Sequence, residues 1–145
     1  MQPIAAPFPA LRLRRLRRTP ALRALVSESA VSPSDFIWPV FVRDGTGVVE
    51  PIGSMPGVNR LSVDEVVKAA REAASLGIPA ICLFPYTDAS KKTKDCAEAW
   101  NPDNLSNTAT RAIKDAGIDI AVMTDVALDP YNIDGHDGFV EDGHV

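Results

Sequence analysis

The sequence predicts an α/β fold assembled from βαβ units, and three observations carry that prediction. Residues 36–42 (FIWPVFV), 78–84 (IPAICLF) and 118–124 (IDIAVMT) are short apolar runs of strand-like composition. Helical patterns over 62–76 and 107–116 separate them, and each pattern stops at a glycine, Gly77 or Gly117. Strand, helix, glycine, strand is the rhythm of parallel strands joined by crossovers. Such units build either an open doubly wound sheet or part of a (β/α)8 barrel.

Taken in order, residues 1–19 read as an extended, Arg-rich arm, followed by a short helix over Ala21 to Glu28 with Pro20 in its first turn. Residues 1–30 thus read as a basic arm with a short helix, and 31–145 as the body that carries the βαβ units, the part that would be the first portion of a barrel if the units close that way. The strand at 36–42 contains Pro39, which limits its ladder bonding. Residues 43–60 are turn-rich, with Asp44-Gly45, Gly47, Gly53, Pro56 and Gly57. Ser62 and Glu65 have capping-box spacing at the start of the best helix. Val63, Val66, Val67, Ala70 and Ala74 supply its apolar face, and Asp64, Lys68, Arg71 and Glu72 its wet one. Asp44-Gly-Thr-Gly47 follows the first strand, but it lacks the rest of a phosphate-binding glycine motif and no helix opens after it.

Composition narrows the function classes. Of the 145 residues, 46% are hydrophobic and 23% charged, as in ordinary globular chains. No apolar run is long enough to span a bilayer, and no secretory signal is evident. An organelle transit peptide is disfavoured by Pro3, Pro7 and Pro9. Cys82 and Cys96 have neither metal spacing nor a disulfide framework, so a reducing, cytoplasmic setting is expected. Charge is uneven: six arginines face only Glu28 in residues 1–30, a balance of +5, which leaves −9 on the remainder given the total of −4. An acidic body without interleaved aromatics on the arm disfavours nucleic acid and favours docking of the arm onto a protein surface.

The densest chemistry is the stretch from Asp125 to Gly138 (DVALDPYNIDGHDG), directly after the third strand, where parallel folds build their sites. Asp125, Asp129, Asp134, Asp137 and His136 fall within thirteen residues. Such a group suits a hard cation or a substrate ammonium; gathered without one, the carboxylates repel each other. The plainer alternative is a solvated turn that uses Asp and Gly for their conformations. His136 suits local hydrogen bonding better than acid–base work. An EF-hand is excluded because Pro130 occupies its first ligand position and no amphipathic helix precedes it.

The same string resembles the metal-site loop of the porphobilinogen synthases (5-aminolevulinate dehydratases). In zinc-dependent members cysteines stand at the positions of Ala127, Asp129 and Asp137. The resemblance also covers Arg12-Leu-Arg-Arg15, Leu25-Val-Ser-Glu28 and the strand at 36–42. It continues through 52–60 (IGSMPGVNR), 77–84 (GIPAICLF) and 98–104 (EAWNPDN), in order along the chain.

The resemblance implies the N-terminal portion of a (β/α)8 TIM barrel, preceded by an extended arm that wraps a neighbouring subunit, within a homo-octamer. It implies condensation of two 5-aminolevulinate molecules to porphobilinogen in tetrapyrrole synthesis, through two lysine Schiff bases. Lys68, Lys91, Lys92, Lys94 and Lys114 match neither lysine motif, and both motifs belong beyond residue 145. The sequence therefore reads as cut short, and the chain alone is expected to be inactive. Asp125 is expected to orient the lysine and substrate network. Asp129 and Asp137 are expected to flank the second substrate, accepting from its amine. With Ala127 beside them no zinc is expected; magnesium is possible, weakly at this loop or at an allosteric site. Two alternatives remain: a non-catalytic fragment that acts through its arm, and a Schiff-base aldolase barrel, which shares the strand rhythm without the DVALDPY loop.

Overall fold

The computed structural model describes residues 8–145, so the first seven residues of the predicted arm lie outside it. The described residues divide into two compact units, the first ending at Val31 and the second running from Ser32 to Val145. In the first, the predicted extended arm is interrupted by a 3₁₀ turn at Arg15–Arg17. The helix that follows, α1, spans Pro20–Leu25 and stops short of the predicted Glu28. Thr19 caps it by accepting the Leu22 N–H at 3.2 Å. With six residues and no buried side chain, α1 gains no packing that would extend it.

The second unit is a five-stranded sheet in the order β2-β3-β1-β4-β5. The strands are β1 (Ile37–Arg43), β2 (Val49–Pro51), β3 (Asn59–Ser62), β4 (Ala80–Tyr86) and β5 (Ala121–Thr124). β1 pairs in parallel with β3 and β4, and β4 with β5, as the βαβ rhythm predicts. β2 departs from it by pairing antiparallel with β3, so the sheet is mixed. β2 and the first half of β3 lie in the segment 43–60, which the sequence marks as turn-rich. Pro39 sits opposite Cys82 of β4, and β3 joins β1 only from Phe41 onward. The proline thus falls where β1 has a single partner, the tolerated place for a residue without an N–H.

Helices α2 (Val63–Ser75) and α3 (Leu105–Asp115) cover one face of this sheet. Strand alternation sends Val40, Val42, Ile81 and Leu83 to that face. There they pack against Val66, Ala70 and Ala73 of α2 and Leu105, Ala109 and Ile113 of α3. The alanines remove side-chain bulk where the helices meet the strands. Asp64 and Glu65 sit favourably in the first turn of α2. The predicted capping box does not form, because Ser62 makes no cap bond. Its hydroxyl instead accepts the Val48 N–H at 2.9 Å and donates to Asp64 at 2.6 Å, while Glu65 pairs with Lys68. α3 starts two residues before its predicted position because Asn104 caps it through the Asn107 N–H at 2.9 Å. Gly77 (φ 81°) and Gly117 (φ 64°) end the two helices in the left-handed conformation expected of them.

Candidate active site

The other face of the sheet carries no helix. Phe41, Arg43, Cys82, Phe84, Tyr86 and Met123 project there by the same alternation. The Phe41 and Phe84 rings lie 5.8 Å apart, and the Arg60 guanidinium stacks 4.2 Å from the centre of the Tyr86 ring. Glu50, on β2, accepts from both Arg43 and Arg60, which ties the short hairpin to β1. β2 therefore serves to hold two arginines at the carboxyl end of the parallel strands.

A cleft of about 500 Å³ opens at that end, lined by Phe41, Arg60, Tyr86, Thr87, Lys92, Asp125 and Asp129 among others. It brings two cationic side chains and two carboxylates into one space. Lys92 is half-buried and forms no ion pair among the described residues, whereas its neighbour Lys91 reaches Asp44 at 3.2 Å. The Thr87 hydroxyl is buried and lacks a hydrogen-bond partner among the described residues.

The aspartate loop begins where β5 ends. Asp125 is half-buried and accepts the Ala127 N–H at 3.0 Å, which turns the chain out of the strand. A single 3₁₀ turn, Asp129–Tyr131, follows. Asp137 folds back onto its start and accepts the N–H groups of Leu128 at 2.7 Å and Asp129 at 3.1 Å. Its carboxylate is thus committed to unsatisfied donors at a helical N-terminus. Asp129 is exposed, and its carboxylate takes no hydrogen bond among the described residues. The loop brings Asp125 and Asp129 to the cleft, while Asp137 braces the backbone between them. His136 and Asp134 do not line the cleft. The crowding suggested by the sequence is not realised: among the described residues no three His, Cys, Asp or Glu side chains are grouped to hold an ion. Cys82, on the sheet face nearby, has its thiol pKa pushed up by burial and then by the negative charge of Asp125.

The sequence alignment decides the family. A family model described as delta-aminolevulinic acid dehydratase matches residues 10–145. The chain belongs to the delta-aminolevulinic acid dehydratase family. It is 49% identical over 140 residues to the dehydratase of Rhodobacter capsulatus, covering 97% of this chain and 42% of that protein. With the Bradyrhizobium diazoefficiens dehydratase it shares 48% identity over 136 residues, covering 94% of this chain and 38% of the relative. The chain thus spans about two fifths of the length of these dehydratases. The crystal structure of the Toxoplasma gondii dehydratase in complex with porphobilinogen superposes with a TM-score of 0.82 at 45% identity. That match covers 91% of this chain and 37% of the other. The sheet and its helices are accordingly the N-terminal part of the dehydratase barrel, as the sequence predicts.

Three cleft residues in this dehydratase segment are absent from the sequence reading of the site: Arg60, Thr87 and Lys92. Arg60 stands in the string 52–60 that carries part of the family resemblance, but it has no local pattern to distinguish it. In the sequence Lys92 is one of several lysines in a polar loop, and only the folding of that loop beside the aspartates separates it from Lys91 and Lys94.

Proposed function

We propose that this chain supplies the N-terminal half of a porphobilinogen synthase active site, which condenses two 5-aminolevulinate molecules to porphobilinogen. The observation that carries this reading is the cleft at the strand ends, where Asp125 and Asp129 share a space with Arg60 and Lys92. 5-Aminolevulinate is a zwitterion, and paired ammonium- and carboxylate-binding groups suit it. Asp129, whose carboxylate is uncommitted, accepts from the substrate amine or takes its proton. Asp125, bound to the loop backbone, orients the network. Asp137 acts through the loop it braces. The Schiff-base lysines come from a segment outside these 145 residues.

The donor set favours the aspartate-bearing type over the zinc type. Zinc takes four ligands from thiolate, imidazole and carboxylate. Here Ala127 offers none, and Asp137 is bonded to two backbone N–H groups. Magnesium keeps most of its waters and needs only one or two carboxylate oxygens, which Asp129 and the Oδ2 of Asp137, unbonded among the described residues, can provide. A homo-octamer held through the basic arm and a cytoplasmic location complete the proposal. Among the described residues no helix is long and apolar enough to cross a membrane.

The test is porphobilinogen formation from 5-aminolevulinate by the chain alone and by the chain fused to a dehydratase C-terminal segment carrying both lysines. The chain alone is expected to be inactive and the fusion active. Asp125→Ala and Asp129→Ala in the fusion are expected to lower kcat/KM by at least about 100-fold, the usual scale of a lost proton-transfer group. A folded fusion without activity would refute the reading. Activity that rises and falls with stoichiometric zinc after chelation would refute the aspartate-type assignment.

A further inference from the structure

Beside the cleft lies a side chain that the proposed chemistry does not use. Asn132 is 1% exposed, among the most deeply buried residues of the chain. Its Oδ1 accepts the Asp134 N–H at 2.7 Å. That contact fixes the orientation of the amide, since only oxygen can face an N–H donor there. Nδ2 then points at three acceptors: the Lys94 carbonyl at 3.2 Å, the Cys96 sulfur at 3.4 Å and the Gly138 carbonyl at 3.4 Å.

These partners belong to two loops. Lys94 and Cys96 lie in the loop after β4 that carries Lys92; Asp134 and Gly138 lie in the loop after β5 that carries Asp129 and Asp137. The backbone joins the same loops on either side of Asn132. The Thr93 N–H donates to Tyr131 at 3.1 Å, and the Ile133 N–H donates to Thr93 at 3.2 Å, forming an isolated parallel bridge. Cys96 adopts a left-handed φ of 56°, an uncommon backbone state for a residue with a β-carbon. That conformation goes with its buried thiol meeting the amide.

We propose that Asn132 is a positioning residue whose carboxamide locks the Lys92 loop to the Asp129–Asp137 loop. It thereby sets the separation of ammonium and carboxylate across the cleft. The inference rests on the reading of that cleft as the substrate site. The amide reaches the site by two short routes. Gly138 follows Asp137, whose carboxylate holds the Leu128 and Asp129 N–H groups, and Lys94 stands two residues from Lys92. A buried amide with four partners is costly to leave unsatisfied, so the two loops open together or not at all.

Native-state hydrogen exchange on the unaltered chain tests the lock without any substitution. The amides of Thr93, Ile133, Leu128 and Asp129 are expected to share one opening reaction, with the same denaturant dependence. Independent opening of the two loops would overturn the proposal. Asn132→Asp keeps the size and the acceptor but replaces the donor. It is expected to speed exchange at all four amides on the order of tenfold, as for loss of a buried hydrogen bond, with the Leu83 amide unchanged. In the active fusion the same variant is expected to raise KM for 5-aminolevulinate more than it lowers kcat. Exchange and KM like the parent's in Asn132→Asp would show that the residue only fills space. A fusion without activity refutes the proposed function, whereas the exchange result decides the lock by itself.

Discussion

On one face of the sheet Val40, Val42, Ile81 and Leu83 meet two alanine-rich helices; on the other, Phe41, Arg43, Cys82 and Phe84 meet no helix. The same four-residue stretches of β1 and β4 contribute to both. On the covered face each of these side chains is under 5% exposed, and none is polar. Across the sheet the side chains are half-buried and mix two aromatic rings, a guanidinium and a thiol. Alternation along two strands therefore divides the labour: one side contributes stability, and the other presents chemistry that solvent or a ligand can reach. Substitutions on the two sides should separate accordingly. Ile113→Ala, at a site with no exposure on the covered face, is expected to cost about 2–5 kcal/mol in urea denaturation. Met123→Ala, at a position 47% exposed on the other face, should cost less than about 1 kcal/mol in the chain alone. In a fusion with the C-terminal segment the second cost should rise toward the first. If it stays small there, the uncovered face is not the barrel interior.

The covered face was the legible part. Apolar residues at helical spacing between Val63 and Ala74, Gly77, Gly117 and three β-rich runs are local signals, and each landed within a few residues of its element. β2 and β3 escape the sequence reading because they have three and four residues, one of them reading Asn-Arg-Leu-Ser, and exist through pairing, β3 with β1 and β2 with β3. Ser62 and Glu65 have the spacing of a capping box, yet Val48, fourteen residues away, claims the serine hydroxyl. At the site, the Asp125–Gly138 string was legible through its family resemblance. Asn132 and Thr87 carry no motif; one acquires its meaning from a loop 36 residues distant and the other from burial.

An intermediate effect is expected where the covered side is tied to the β1–β2 turn. The Ser62 hydroxyl first, and then the Gly47 N–H and the charge of Lys68, hold the Asp64 pKa below its ordinary value. A carboxyl pKa lowered by folding adds stability at pH above its unfolded value, and this is lost as pH falls through the folded one. Asp35, Asp88 and Asp95 are lowered in the same direction by bonds to Ser32, Ser90 and Thr93. Stability should therefore be level near neutrality and decline below about pH 4, where these carboxylates protonate. Asp64→Asn should flatten that decline in a pH series of urea midpoints, and an unchanged acid slope would show that the Ser62–Asp64 contact does not persist in solution.

The smallest expected effect probes the uncovered face itself. Cys82 keeps its thiol protonated because burial raises its pKa, and the Asp125 carboxylate raises it further. Only the thiolate attacks an alkylating agent, so Cys82 should react with iodoacetamide more slowly than a free thiol at pH 8. Asp125→Asn removes the charge and leaves the side-chain volume, so the rate at Cys82 should rise a few-fold. Cys96, buried at 4% exposure against the Asn132 amide, should stay unreacted in both proteins and serves as the internal control. Because the charge is the smaller of the two causes, the change in rate must be modest. A large increase would instead mean that the substitution has opened the loop after β5 and exposed Cys82. An unaltered rate would place the Asp125 carboxylate away from the sheet face, and so away from the cleft it is proposed to serve.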